Sequence, residues 1–127
     1  VGAPAAKQGD QVVGVDMHIV IVPGAGPLPM PMPFAGMLAG GLSSNVKIMG
    51  RPAATVGSTA TNSPPHVPPG GSFQRPPANK GTVKIGSQTV KINGKWAARA
   101  GDAVETCNDP QNLPAGKIIA AGTVLIG

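Results

Sequence analysis

Gly2-Ala3-Pro4-Ala5-Ala6-Lys7-Gln8-Gly9-Asp10, Gly50-Arg51-Pro52-Ala53-Ala54-Thr55-Val56-Gly57-Ser58 and Gly94-Lys95-Trp96-Ala97-Ala98-Arg99-Ala100-Gly101-Asp102 are three copies of one motif. Each keeps a glycine, then Ala-Ala, then a second glycine at the same offsets, and such internal repetition signals a repeated structural unit. Val46-Lys47-Ile48 and Val90-Lys91-Ile92 precede the second and third copies, with Val and Ile two residues apart and so on one face of a strand. The first copy has no strand before it. Its counterpart lies at the other end of the chain, where Thr123-Val124-Leu125-Ile126-Gly127 matches Thr89-Val90-Lys91-Ile92-Asn93-Gly94 with one residue deleted. A C-terminal strand returning beside the N-terminus therefore completes a third unit and closes a ring.

The rest of the chain suits short strands and tight turns. Among 127 residues, 19 are Gly and 15 Pro, with two Phe, one Trp and no Tyr, which excludes a large aromatic core. Val and Ile in short alternating runs argue against disorder. Thr82-Val83-Lys84-Ile85 and Thr89-Val90-Lys91-Ile92 flank Gly86-Ser87-Gln88 and read as a β-hairpin. Lys117 to Gly127 repeats that pattern, with Gly122 at its turn. The expected architecture is all-β: a small cone of three short β-hairpin repeats about a pseudo-threefold axis, with a metal-pinned apex and little or no helix. Residues 1–127 form a single domain with a Pro/Gly-rich insert at about residues 23–42. Pro23, Pro27, Pro29, Pro31 and Pro33 exclude a membrane-spanning helix there and predict an extended, polyproline-like excursion.

Each motif is followed by one good metal ligand. His18 lies nine residues after Gly9, His66 nine after Gly57, and Cys107 six after Gly101; these are all the His and Cys present. Alone, each reads as an ordinary buried or hydrogen-bonded side chain. One ligand per repeat, brought together by a threefold axis, predicts a shared structural ion: a thiolate with two imidazoles suits one Zn²⁺ best and Fe²⁺ less well. Water, Asp16, Asn108 or Asp109 is open as the fourth ligand. Pro64, Pro65, Pro68 and Pro69 stiffen the arm that carries His66.

Gly-x-Pro-Ala-Ala-x-x-Gly-Asp after a Val-x-Ile strand, repeated about an axis and followed by His and Cys, resembles the proline-alanine-alanine-arginine (PAAR) repeat family of spike tips. The resemblance covers nearly the whole chain apart from the Pro-rich insert. It implies a β-cone with zinc at its apex and a broad base seated, one monomer per spike, on a trimeric β-helical spike protein. The machine would be a contractile injection system: type VI secretion, a phage-like tail or an extracellular particle. Val46, Ile48, Val90, Ile92, Val124 and Ile126 are then expected to build the axial core and the spike-docking strands, and Pro27 to Phe34 to pack on one flank or contact the spike or a separate effector cargo. The chain departs from the pattern in having two His where the family often has three, and in Thr55, Ser58 and Trp96 at motif positions usually held by Arg, Asp and Pro.

No secretory signal is recognisable, so the expectation is synthesis in the cytoplasm, assembly on the particle and delivery outside the cell or into a target whose membrane is contacted mechanically. Two other function classes compete. A zinc hydrolase with Glu105 as general base lacks a His-Glu-x-x-His helix and a second acid, so no enzyme activity is expected. A nucleic-acid-binding module would use the net charge of +5. Yet Lys47, Lys84 and Lys91 alternate with apolar strand residues, as solvent-facing lysines do, and no aromatic platform accompanies them, so no nucleic acid is expected.

Overall fold

The computed structural model describes residues 2–109 and 111–127, and among these there is no helix. Six strands close into an antiparallel barrel: β2 (Gln11–Val22), β3 (Gly26–Gly40), β6 (Thr59–Asn62), β8 (Lys80–Val83), β11 (Ala103–Thr106) and β12 (Leu113–Ile119), with β12 pairing back onto β2. Each motif thus launches one outgoing strand (β2, β6 or β11) and receives one returning strand (β3, β8 or β12). A short outer strand, β7 (Ser72–Phe73), pairs with the far end of β2.

Below the barrel lie three two-residue strand pairs. They are β4 (Lys47–Ile48) with β5 (Arg51–Pro52), β9 (Lys91–Ile92) with β10 (Lys95–Trp96), and β1 (Ala3–Pro4) with β13 (Leu125–Ile126). The last pair is the expected ring closure, joining the two ends of the chain. The threefold arrangement extends to single hydrogen bonds. Ala6 N–H donates to Ala98 O, Ala98 N–H to Ala54 O and Ala54 N–H to Ala6 O, at 2.9, 3.0 and 3.0 Å. Bridges Ala5–Arg99, Lys7–Ala53 and Thr55–Ala97 run around the same circle. The alanines are fully buried here because strands this close to an axis leave no room for a larger side chain.

The second glycine of each motif has a conformational reason. Gly9, Gly57 and Gly101 have φ of 87°, 99° and 87° inside turns closed by Asp10 N–H to Lys7 O, Ser58 N–H to Thr55 O and Asp102 N–H to Arg99 O. The side chain of the residue after the glycine accepts the N–H three residues back: Asp10 Oδ2 from Lys7, Ser58 Oγ from Thr55, Asp102 Oδ2 from Arg99. Thr55 and Ser58 therefore leave the turn intact. They replace an ion pair like Lys7–Asp10 or Arg99–Asp102 with a hydroxyl that donates to Gly41 O.

Two apolar clusters stack along the axis. Ala6, Val12, Phe34, Leu38, Ala54, Ala60, Val83, Ala98, Val104 and Ile118 fill the barrel. Ala5, Ile48, Ala53, Ile92, Ala97 and Ile126 fill the base, with Val46 and Val90 packed against them. The expected axial core is thus present except for Val124, which is 39% exposed and contributes its carbonyl to Ala5 N–H instead of its side chain.

Three local expectations are corrected. Residues 82–85 do not pair with 89–92: β8 is shared between β6 and β11, and β9 turns back on β10 through Asn93-Gly94. Positive φ at both Asn93 (53°) and Gly94 (79°) matches the two-residue turn that suits strand twist, and Met49-Gly50 does the same before β5. Likewise β12 joins the barrel and does not fold back on Leu125-Ile126 across Gly122. Finally, the proline-rich insert is strand β3, in unbroken register with β2 from Val22–Gly26 to Gln11–Met37. Prolines at every second position place their missing N–H groups on one edge. That edge faces away from β2, since Ala35, of the same parity, donates its N–H to Asn62 on β6.

Candidate metal centre

Strand alternation brings the first two ligands together. Along β2, Val12, Asp16, His18 and Val20 point inward and are buried, while Val15, Met17 and Ile21 face out. His66 arrives from the segment after β6, and Cys107 is the first residue beyond β11. One donor atom from each of Asp16, His18, His66 and Cys107 lies within 4.8 Å of the others. A four-coordinate ion with bonds of about 2.0–2.3 Å holds its ligands roughly 3.3–3.8 Å apart, so these side chains already span close to what one ion would draw together.

The three expected ligands are therefore assembled, and the fourth position falls to Asp16. Its carboxylate is the hub of the cluster: Oδ2 accepts from His66 Nε2 at 2.8 Å and from Cys107 Sγ at 3.4 Å, and Oδ1 accepts from Thr106 Oγ1 and from Asn108 Nδ2. Asn108 and Asp109, the other open candidates, serve as supports. Asn108 Oδ1 takes Met17 N–H at 2.7 Å, and Asp109 N–H donates to Met17 O at 2.8 Å. The His66 arm is fixed by asparagines: Asn79 Oδ1 accepts His66 N–H at 2.9 Å and Asn62 Nδ2 at 3.1 Å, and Asn62 Nδ2 also donates to His66 Nδ1 at 3.2 Å. Asn79 holds this position at φ 54°, a conformation that asparagine tolerates.

His18 provides the observation that points to an ion. It is 1% exposed, and among the described residues neither ring nitrogen has a hydrogen-bond partner. A buried imidazole left unsatisfied on both sides costs free energy that a coordinate bond removes. The donor set fits a metal as well: His66 Nε2 and Cys107 Sγ both turn their protons to one Asp16 oxygen, where a bound cation would take the place of those protons. Phe73 meets His18 edge-on at 5.5 Å between ring centroids, closing the site on its apolar side.

In the metal-free protein, burial foremost and His66 next hold the His18 pKa below its ordinary 6.5, and burial raises that of Cys107 above 9.0. As pH falls through 6.5, the unfolded chain takes up a proton at His18 that the folded chain resists, so stability declines. As pH rises past 9.0, the unfolded chain loses a Cys107 proton that the folded chain keeps, and stability declines again. Melting temperatures of metal-free protein measured across this range are expected to show a plateau with two falling limbs. His18→Phe is expected to flatten the acid limb just below 6.5.

Glu105 does not enter the site. It lies on β11 between Val104 and Thr106, which are fully buried, and so faces the opposite side of the strand. Neither the family models nor the curated proteins contain a match to this chain.

Proposed function

We propose that the protein is the tip of a contractile injection spike. Its base caps a trimeric β-helical spike protein, one copy per trimer, and its apex leads when the spike is driven into a target envelope. The observation that carries this reading is the cyclic hydrogen-bonded ring of Ala6, Ala54 and Ala98, which gives one chain three near-equivalent faces. A monomer with that symmetry can meet three identical chains with the same contact three times. The metal-ligand cluster lies at the far end of the barrel from the three short strand pairs, so one end is pinned and the other offers strand edges. A structural Zn²⁺ held by His18, His66, Cys107 and Asp16 would crosslink segments from all three repeats and stiffen the point without bulky side chains.

At the base, Ile48, Ile92 and Ile126 are 6, 8 and 6% exposed and serve as packing, whereas Leu125, Met49, Val124 and Trp96 are 39–59% exposed. The Pro4, Pro52 and Trp96 carbonyls on β1, β5 and β10 already accept from Ala100, Gln8 and Val56, so the exposed set together with the outer edges of β4, β9 and β13 supplies the docking surface. Lys91 Nζ sits over the Trp96 ring, 4.5 Å from its centroid, a cation–π contact within this exposed set. A Met49→Asp/Leu125→Asp double variant is expected to keep its melting temperature within a few degrees and to lose co-purification with the spike trimer. Retained co-purification would contradict docking through this end.

A further inference from the structure

Two methionines stand opposite the ligand strand. In the β2–β3 register Met32 is the direct partner of Asp16, and Met30 that of His18. Burial alternates along β3, with Met32 and Phe34 buried and Pro29, Pro31 and Pro33 exposed, so Met30 and Met32 share the inner face with Asp16 and His18. Directly opposed residues of an antiparallel pair have Cβ atoms about 4.5–5.5 Å apart, within the reach of a flexible thioether. Met32 is only 6% exposed yet belongs to neither apolar cluster. It borders instead the same cavity as His66 and Asn62.

The register therefore sets two candidate fourth donors on facing strands: a hard carboxylate, Asp16, within the cluster, and a soft thioether, Met32, directly opposite it. Zinc, a borderline ion, takes carboxylate readily, whereas Cu(I) selects thiolate and thioether sulfur and has little use for carboxylate oxygen. Two imidazoles, a thiolate and a thioether form a donor set typical of copper sites.

We propose that the apex is also a Cu(I) site, in which Met32 Sδ joins His18, His66 and Cys107 while Asp16 stays bound to Thr106 and Asn108. The assignment rests on the reading of this cluster as a metal centre and adds a second ion with its own fourth ligand. Met32 then serves copper alone, and Asp16 serves zinc.

The test is an anaerobic competition titration of metal-free, full-length protein, with Cu(I) against a bicinchoninate indicator and with Zn²⁺ against a chromogenic zinc chelator. Met32→Leu conserves volume and so preserves the packing of β3. It is expected to weaken Cu(I) binding at least tenfold and leave Zn²⁺ binding within twofold of wild type. Asp16→Asn is expected to do the reverse. Unchanged Cu(I) affinity in Met32→Leu, or equal losses for both ions, would overturn the assignment and leave Met32 as packing while the zinc reading stands. Wild-type protein that binds neither ion would overturn the metal centre itself.

Discussion

Metal-free protein is expected to melt on the order of 20 °C below the loaded form, and His18→Ala/His66→Ala/Cys107→Ser protein is expected to melt with the metal-free form whether or not zinc is supplied. Structural zinc contributes on the order of 10 kcal/mol in small domains. Here the barrel has an apolar core of its own, so about half of that is the reasonable share, and in a chain of this size each kcal/mol moves the midpoint by roughly 4 °C. The loss should be concentrated at the apex. The barrel below it is tied by backbone ladders and the cluster around Phe34, Leu38 and Ile118, whereas the His66 arm is tied by Asn62, Asn79 and Asp16. Hydrogen exchange is expected to speed up across residues 63–79 and 107–109 on chelation, and to change little at Ala6, Ala54 and Ala98. A melting temperature indifferent to a strong chelator would count against an ion at the apex.

Gly36→Val is expected to cost at least about 3 kcal/mol and to lower the midpoint by roughly 12 °C, the larger effect of any single substitution at a seam between repeats. Gly36 lies where β3 meets β6, and a Cβ there would sit 2.4 Å from Thr61 O and 2.9 Å from Thr61 C. Both are backbone atoms, so relief requires the strands to part, and parting them opens the closed barrel. The β2–β12 seam uses the same device: a Cβ on Gly14 would fall 2.6 Å from Ala115 O. Glycine at these seams lets six strands close on a narrow radius. Gly24 gives the contrast within the same protein, because nothing lies within 4 Å of a Cβ there and its φ of 83° is the sole constraint. Gly24→Asn is expected to shift the midpoint by only a few degrees, measured by calorimetry beside Gly36→Val.

The ring was legible because its signal is repetition: Val124-Leu125-Ile126 copies Val90-Lys91-Ile92, and the copy has no partner except the N-terminal motif. Which strands pair was not legible from the glycines. Gly86 looks like a turn residue but is a place of close approach, where a Cβ would lie 2.6 Å from Ala97 O, whereas Gly122 serves a bend at φ 154° that does not fold β12 back on β13. The actual turn, Asn93-Gly94, straddles the boundary between strand and motif, so the repeat itself masks it. Alternating proline in Pro27 to Pro33 resembles polyproline helix in composition. Its period of two is equally that of a strand edge, and the partner that decides the matter, β2, is apolar and long enough to pair with all of it. At the apex, the assembly of His18, His66 and Cys107 into one cluster was readable from their place after each motif. Asp16 was present in the pattern, two residues before His18 and so on the same face, but spacing alone does not separate it from Asn108 and Asp109. Asn62 and Thr106 act through contacts between repeats, to Ala35 and Asp16, and Asn79 acts through distant partners within its own repeat, Asn62 and His66; no local pattern carries any of these.

The most direct test of the spike-tip assignment is the mass of the intact complex formed with the trimeric spike protein of the same particle, measured by native mass spectrometry with zinc retained. A species of one tip chain, three spike chains and one metal ion is predicted, and it should disappear with Met49→Asp/Leu125→Asp. A complex with three tip chains per trimer, or no complex with the wild-type protein, would contradict the account.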